Sequence, residues 1–118
     1  LEKVVFVVDD SDIYLIKSDS ILRQDYEVVT ISSGERMLDL AKKIAPDLIL
    51  MDIEMPDMDG FEAAAHFRAT GASAPIIFMS GTVDSGVLAQ GARLGIENFI
   101  EKPFDDGELL ERVRQALL

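Results

Sequence analysis

Three short, largely apolar stretches of this sequence and a fourth, more polar one run into residues able to do chemistry. Val4–Val8 stops at Asp9-Asp10, and Asp47–Met51 stops at Asp52. Pro75–Met79 runs into Ser80-Gly81, and Glu97–Ile100 leads to Lys102-Pro103. Carboxylates brought together cannot all ionise cheaply. A hard divalent cation resolves that conflict, since Mg²⁺ takes carboxylate and carbonyl oxygens and completes its octahedron with waters. A serine hydroxyl can donate to a phosphoryl oxygen, and the glycine after it leaves room for a ligand. A lysine at a strand end neutralises a carboxylate or phosphate as a point charge. A cis peptide before Pro103 would aim Lys102 back at the others. Each residue also has a plainer explanation. Asp10 or Ser11 could cap a helix, Ser80-Gly81 could be only a turn, and a lysine before a turn proline is ordinary. The grouping gives the chemistry its weight, because a pair of aspartates on one strand and a third on its neighbour is a costly way to make caps.

These residues need a frame that gathers strand ends. Val4–Val8 is short, continuous and β-branched, as suits a strand buried on both faces. Tyr26–Ile31, Asp47–Met51, Pro75–Met79 and Glu97–Ile100 read as four more strands. Between them the spacing predicts helices over Ser11–Gln24, from a cap at Ser33 to about Ala45, over Phe61–Ala69 and over Ser85–Leu94. Asp106–Leu117 is the clearest helix, with Leu109, Leu110, Val113, Ala116 and Leu117 on one face and Asp106 and Glu108 at the favoured end of the dipole. Gly86 and Gly91 each weaken the fourth helix by about 1 kcal/mol relative to Ala. Strands alternating with helices predict a parallel α/β sheet covered on both faces by right-handed crossovers. In such sheets ligands bind at the carboxyl ends of the strands. Those ends carry Asp9, Asp10, Asp52, Ser80 and Lys102.

Composition narrows the rest. The 118 residues make one domain, 1–118, and 48% of them are hydrophobic. No apolar run approaches the ~20 residues of a membrane span. No signal peptide is expected at the start, and a cytoplasmic location is. The chain opens on Leu1, so a fragment of a longer protein is expected. With no cysteine and one histidine, His66, thiolate and His-rich metal sites are excluded. A net charge of −11 repels phosphate backbones and argues against direct nucleic acid binding.

Together the blocks resemble the response-regulator receiver domain of two-component phosphorelay signalling. The resemblance spans essentially the whole chain. It is carried by Val4–Ser11, by Pro46–Pro56, by Met58-Asp59-Gly60, by Pro75–Gly81 and by Phe99–Phe104. The resemblance implies a doubly wound, flavodoxin-like five-stranded parallel sheet of order 2-1-3-4-5 with five helices. It implies that Asp52 accepts the phosphoryl group, that Asp10 and Asp52 bind Mg²⁺ directly, and that Asp9 acts through metal-bound water. It gives Glu54 a backbone-carbonyl metal contact and a side chain that tunes the lifetime of the aspartyl phosphate. Mn²⁺ could replace Mg²⁺. Ser80 is the implied switch hydroxyl, Lys102 the conserved lysine of the family, and Phe99 a switch aromatic that turns inward from solvent once Ser80 has moved.

The implied partners are a sensor histidine kinase or histidine phosphotransfer protein and an output domain or target. The surface of the fourth helix, fifth strand and fifth helix would carry the signal. Homodimerisation through it is conceivable, but no residue argues for it. The expected role is signalling, without turnover of a separate substrate. A haloacid-dehalogenase-like phosphatase, faintly echoed by Asp52-x-Glu54, needs a longer chain. A non-phosphorylated interaction module would not need the intact acidic pocket.

Overall fold

A computed structural model describes residues 2–118; Leu1, part of the expected domain span, lies outside the described residues. The strands are β1 (Val4–Val8), β2 (Glu27–Ile31), β3 (Leu48–Asp52), β4 (Ile76–Ser80) and β5 (Phe99–Glu101). The helices are α1 (Asp12–Leu22), α2 (Gly34–Ala41), α3 (Gly60–Ala69), α4 (Ser85–Arg93) and α5 (Asp106–Ala116). All strand pairs are parallel, in the order β2-β1-β3-β4-β5. The expected doubly wound fold is therefore the observed one.

The continuous apolar runs have a direct physical reason. Alternate residues of β1, β3 and β4 enter two different cores. Phe6, Val8, Ile49, Met51 and Phe78 pack with residues of α2, α3 and α4, such as Met37, Ala63 and Phe67. Val5, Val7, Leu48, Leu50, Ile77 and Met79 pack on the other face with Leu22 of α1 and Leu109 and Val113 of α5. β2, on the sheet edge, is only partly buried, which is why its apolar run is the weakest of the four long ones.

α1 ends at Leu22 and not Gln24, several ends shift by one residue, and two boundaries depart from expectation for a visible reason. α2 stops at Ala41 and not near Ala45. Lys43 and Ile44 both donate to the Leu40 carbonyl in a closing turn, and Pro46 biases Ala45 away from helical backbone. Ile44, expected on the apolar face, is exposed. β5 starts at Phe99 and not Glu97, because α4 ends in a wide turn. There Gly95 takes a left-handed backbone, φ +72°, and Ile96 N–H bonds the Gly91 carbonyl at 2.9 Å. α3 and α5 begin with side-chain caps. Asp59 and Glu62 form a reciprocal capping box, and Asp105 accepts from Glu108 N–H at 2.8 Å.

Candidate functional site

Register builds the site. Val8 pairs with Met51, so one step further along both strands sets Asp9 beside Asp52. Asp52 pairs with Met79, which brings Ser80 level with the turn after β3. Ser80 pairs with Glu101, and Lys102 N–H then donates to the Ser80 carbonyl at 2.7 Å. Four strand ends thus open onto one cleft of about 270 Å³, lined by Asp9, Asp10, Ser11, Tyr14, Asp52, Glu54, Gly81 and Lys102. A larger groove of about 520 Å³ lies between the far ends of α2 and α3, beside Phe67 and Pro75. It holds no converging carboxylates, so chemistry and not size singles out the smaller cleft.

Asp9, Asp10 and Asp52 each offer an oxygen within 4.8 Å of the others. Asp9 is fully buried and Asp52 nearly so, while Asp10 is exposed. The Lys102 ammonium donates to Asp9 Oδ2 at 2.8 Å and to Asp52 Oδ1 at 3.2 Å. The Lys102–Pro103 peptide is cis. Burial, and then the neighbouring Asp9 charge, push the Asp52 carboxyl up to about 7 against the pull of Lys102. Burial on its own would lower Lys102, but hydrogen bonds and charge from Asp9 and Asp52 outweigh it and leave its pKa raised. One ammonium is thus shared between two carboxylates with a third beside them. The cluster is an all-oxygen, charge-excess setting that suits a hard divalent cation.

The expected Ser33 cap of α2 forms, its hydroxyl accepting from Arg36 N–H at 3.2 Å, but the α1 cap offered for Asp10 or Ser11 does not. Ser11 occupies the position before α1, yet its side chain makes no capping bond. Its N–H instead donates to Asp9 Oδ1 at 2.9 Å and helps fix that carboxylate. The β3–α3 connection is pinned by Gly60. Its N–H bonds the Ile53 carbonyl at 2.8 Å, and a Cβ there would collide with the Asp52 carbonyl oxygen and stand 2.8 Å from Ile53 Cα. Only glycine lets α3 begin this close to β3.

Ser80 is buried beside the cleft and does not line it. Its hydroxyl has acceptors in the Thr82 carbonyl at 2.7 Å and Glu54 Oε1 at 3.3 Å, and it accepts from Thr82 N–H at 3.1 Å. Phe99 sits away from the cleft altogether. The expectation that it points to solvent before phosphorylation is corrected here: it is 7% exposed. Its ring packs on Phe78 at 5.4 Å, and Phe78 packs on Phe61 at 5.0 Å. The reason is Gly91, buried in α4, where an added Cβ would stand 2.5 Å from Phe99 Cζ and 2.7 Å from the Ile96 carbonyl. Gly91 is therefore a socket for the ring and not slack in the helix. Phe99 is inward while the Ser80 hydroxyl remains bonded to its own loop.

Sequence reasoning missed Tyr14 and Thr82. Tyr14, four residues after Asp10, places its ring centroid 4.2 Å from Lys102 Nζ. Its spacing from the aspartates was a usable signal. Thr82 contributes backbone groups, which its identity does not advertise.

Comparison with known proteins agrees with this geometry. The pattern of the response regulator receiver domain family matches residues 5–114. A probable transcriptional regulator of Guillardia theta, ycf27, is 34% identical over 98% of this chain and 45% of its own length. The chain spans about half or less of the curated relatives it matches. Among solved structures, the chemotaxis protein CheY4 of Vibrio cholerae superposes with a TM-score of 0.92 at 29% identity, covering all of both chains. The BeF3-activated receiver domain of DrrB, from Thermotoga maritima, gives 0.90 at 27% identity over 99% of this chain and 98% of that one. With the motif order, the sheet order and the acidic cleft in agreement, the chain belongs to the response regulator receiver domain family.

Proposed function

We propose that Asp52 is the phosphoacceptor of this receiver domain and that Lys102 and a divalent cation serve it. The observation that carries the reading is the convergence of three carboxylate oxygens within 4.8 Å with one partly buried ammonium on two of them. Asp10 and Asp52 would hold Mg²⁺ directly, Asp9 would act through its water, and the Glu54 carbonyl would complete the protein's share; Mn²⁺ suits the same oxygen donors. Bound there, the cation would neutralise charge on the phosphoryl oxygens.

The donor is a phosphohistidine of a sensor kinase or phosphotransfer protein. A carboxylate oxygen of Asp52 attacks phosphorus in line. The P–N bond breaks, its electron pair leaves with the imidazole, and an acyl phosphate forms. Lys102 supplies a fixed positive charge, so the protein's contribution is positioning and electrostatics. Asp52 must be ionised to attack, and both cation and ammonium favour that form. The BeF3-activated neighbour supports this reading, since the same fold there carries a phosphoryl mimic.

The phosphoryl group then offers acceptor oxygens to Ser80, whose hydroxyl exchanges its loop bonds for the new one. Phe99 and the α4–β5–α5 surface carry that change to an output domain or target protein. No described helix is long and apolar enough to cross a membrane, and the phosphodonor systems of this reading work in the cytoplasm. The role is signalling, without turnover of a separate substrate. Acetyl phosphate with Mg²⁺ tests the assignment: intact-mass measurement should find one phosphoryl group on the wild-type chain and none on Asp52→Asn. Labelling of that variant at the wild-type rate overturns it. Steady hydrolysis of p-nitrophenyl phosphate would instead favour the phosphatase class.

A further inference from the structure

The Lys102 ammonium has three N–H directions, and the carboxylates of Asp9 and Asp52 take two of them. Its third neighbour is aromatic: the centroid of the Tyr14 ring lies 4.2 Å from Nζ. Tyr14 does not stand alone. Its ring tilts against Phe104 at 5.6 Å, and Lys17, one helical turn further along α1, lies 4.7 Å over the Phe104 ring. Lys17 also donates to the Phe104 carbonyl. Residues 14 and 17 of α1 therefore grip residues 102 and 104 of the chain leaving β5, in the alternation cation, ring, ring, cation.

We propose that Tyr14 is a positioning residue for phosphoryl transfer, its ring face holding the Lys102 ammonium in the cleft independently of the carboxylates. The inference rests on the reading of Asp52 and Lys102 given above. Lysine is a point charge on a flexible stem and needs a restraint to stay where charge develops. The two ion pairs restrain it in the structure described. A cation at the acidic cluster competes for the same Asp9 and Asp52 oxygens, so those restraints weaken just when transfer is to occur. The contact with Tyr14 uses no carboxylate and persists. The attraction is between a cation and a ring quadrupole and needs no phenolic oxygen.

The test compares Tyr14→Phe and Tyr14→Leu in the intact chain, by the rate of labelling with acetyl phosphate at saturating Mg²⁺. Phe keeps the ring and should stay within about twofold of wild type, whereas Leu should be slower by about tenfold. If Leu fails to fold by circular dichroism, Tyr14→Met, unbranched and similar in reach, replaces it. Mg²⁺ affinity should be unchanged in each variant, because Tyr14 touches no metal-binding oxygen. In a Lys102→Met background the Leu change should add no further slowing. Wild-type rates for the Leu and Met variants, or an equal slowing with and without Lys102, overturn the role of Tyr14. Labelling of Asp52→Asn, run beside them, would mark failure of the underlying reading instead.

Discussion

Replacing Asp52 by Asn should make the metal-free protein more stable above neutral pH and leave it nearly unchanged in acid. The carboxyl titrates at about 7 in the folded chain against an ordinary value of 3.8. Below 3.8 both folded and unfolded chains hold the proton, and the group contributes nothing. Between the two values the folded chain keeps a proton that the unfolded chain has released, so stability falls as pH rises. Above about 7 the loss is complete. A gap of about three pH units at about 1.4 kcal/mol each sets the burden at about 4 kcal/mol. That burden is already net of the attraction to Lys102, and Asn removes it. The gain should be about 4 kcal/mol near pH 8 and close to zero near pH 4. Urea unfolding in EDTA, followed by far-ultraviolet circular dichroism, measures it across that range. Mg²⁺ should shrink the gap at about pH 8, since it stabilises the ionised Asp52 of the wild type. A gain that is the same at both ends of the range, or absent at the upper end, would refute the idea that burial and Asp9 crowd this carboxylate.

Mg²⁺ affinity should rise as pH increases through about 7, because binding must displace the Asp52 proton; calorimetry over a pH series checks it, and a flat profile counts against it. Gly91→Ala would set a methyl 2.5 Å from Phe99 Cζ. Overpacking of about 1–3 kcal/mol should exceed the roughly 1 kcal/mol gained in helix propensity, and the Phe99 ring resonances should move toward solvent-exposed values. An unchanged ring environment and equal urea midpoint would dismiss the socket. Gly60→Ala meets backbone at the Asp52 carbonyl and Ile53 Cα. It should cost about 2 kcal/mol or more and slow acetyl phosphate labelling, since backbone yields less readily than a side chain; a neutral result in both assays would contradict that.

The parts legible in the sequence are those governed by local rules. Uniform apolar runs betrayed strands with both faces buried, and the residues ending them marked the cleft, because a parallel sheet gathers its carboxyl ends. Asp9, Asp52 and Lys102 were readable for that reason. α1 shows where such rules fail. Ile13 and Ile16 are apolar yet 75% and 67% exposed, while Ser18 is fully buried. A face assigned by hydrophobicity would be turned the wrong way, and with it the place of Tyr14. Gly91 misled differently. A helix propensity weighs only the glycine's own backbone, whereas its role is set by a ring on β5, eight residues on. The early end of α2 was foreshadowed by Pro46, outweighed by the apolar spacing of Ile44 and Ala45.

If Ser80 and Phe99 form the proposed switch, the seat of Phe99 bears on how much signal the domain can transmit. A conformational switch can raise its active population by no more than the reciprocal of the fraction already active at rest. A ring that sits in a glycine socket, tilted against Phe78, before any phosphoryl group arrives has used part of that headroom. If inward Phe99 alone defined the active state, resting output would be high and the response to a phosphodonor shallow. A steep response therefore requires the Ser80 hydroxyl, still bonded to its own loop, to be the gate, with the aromatic as a preset part of the surface it releases. The ratio of output with and without phosphodonor is then a direct readout of how the two residues divide the work.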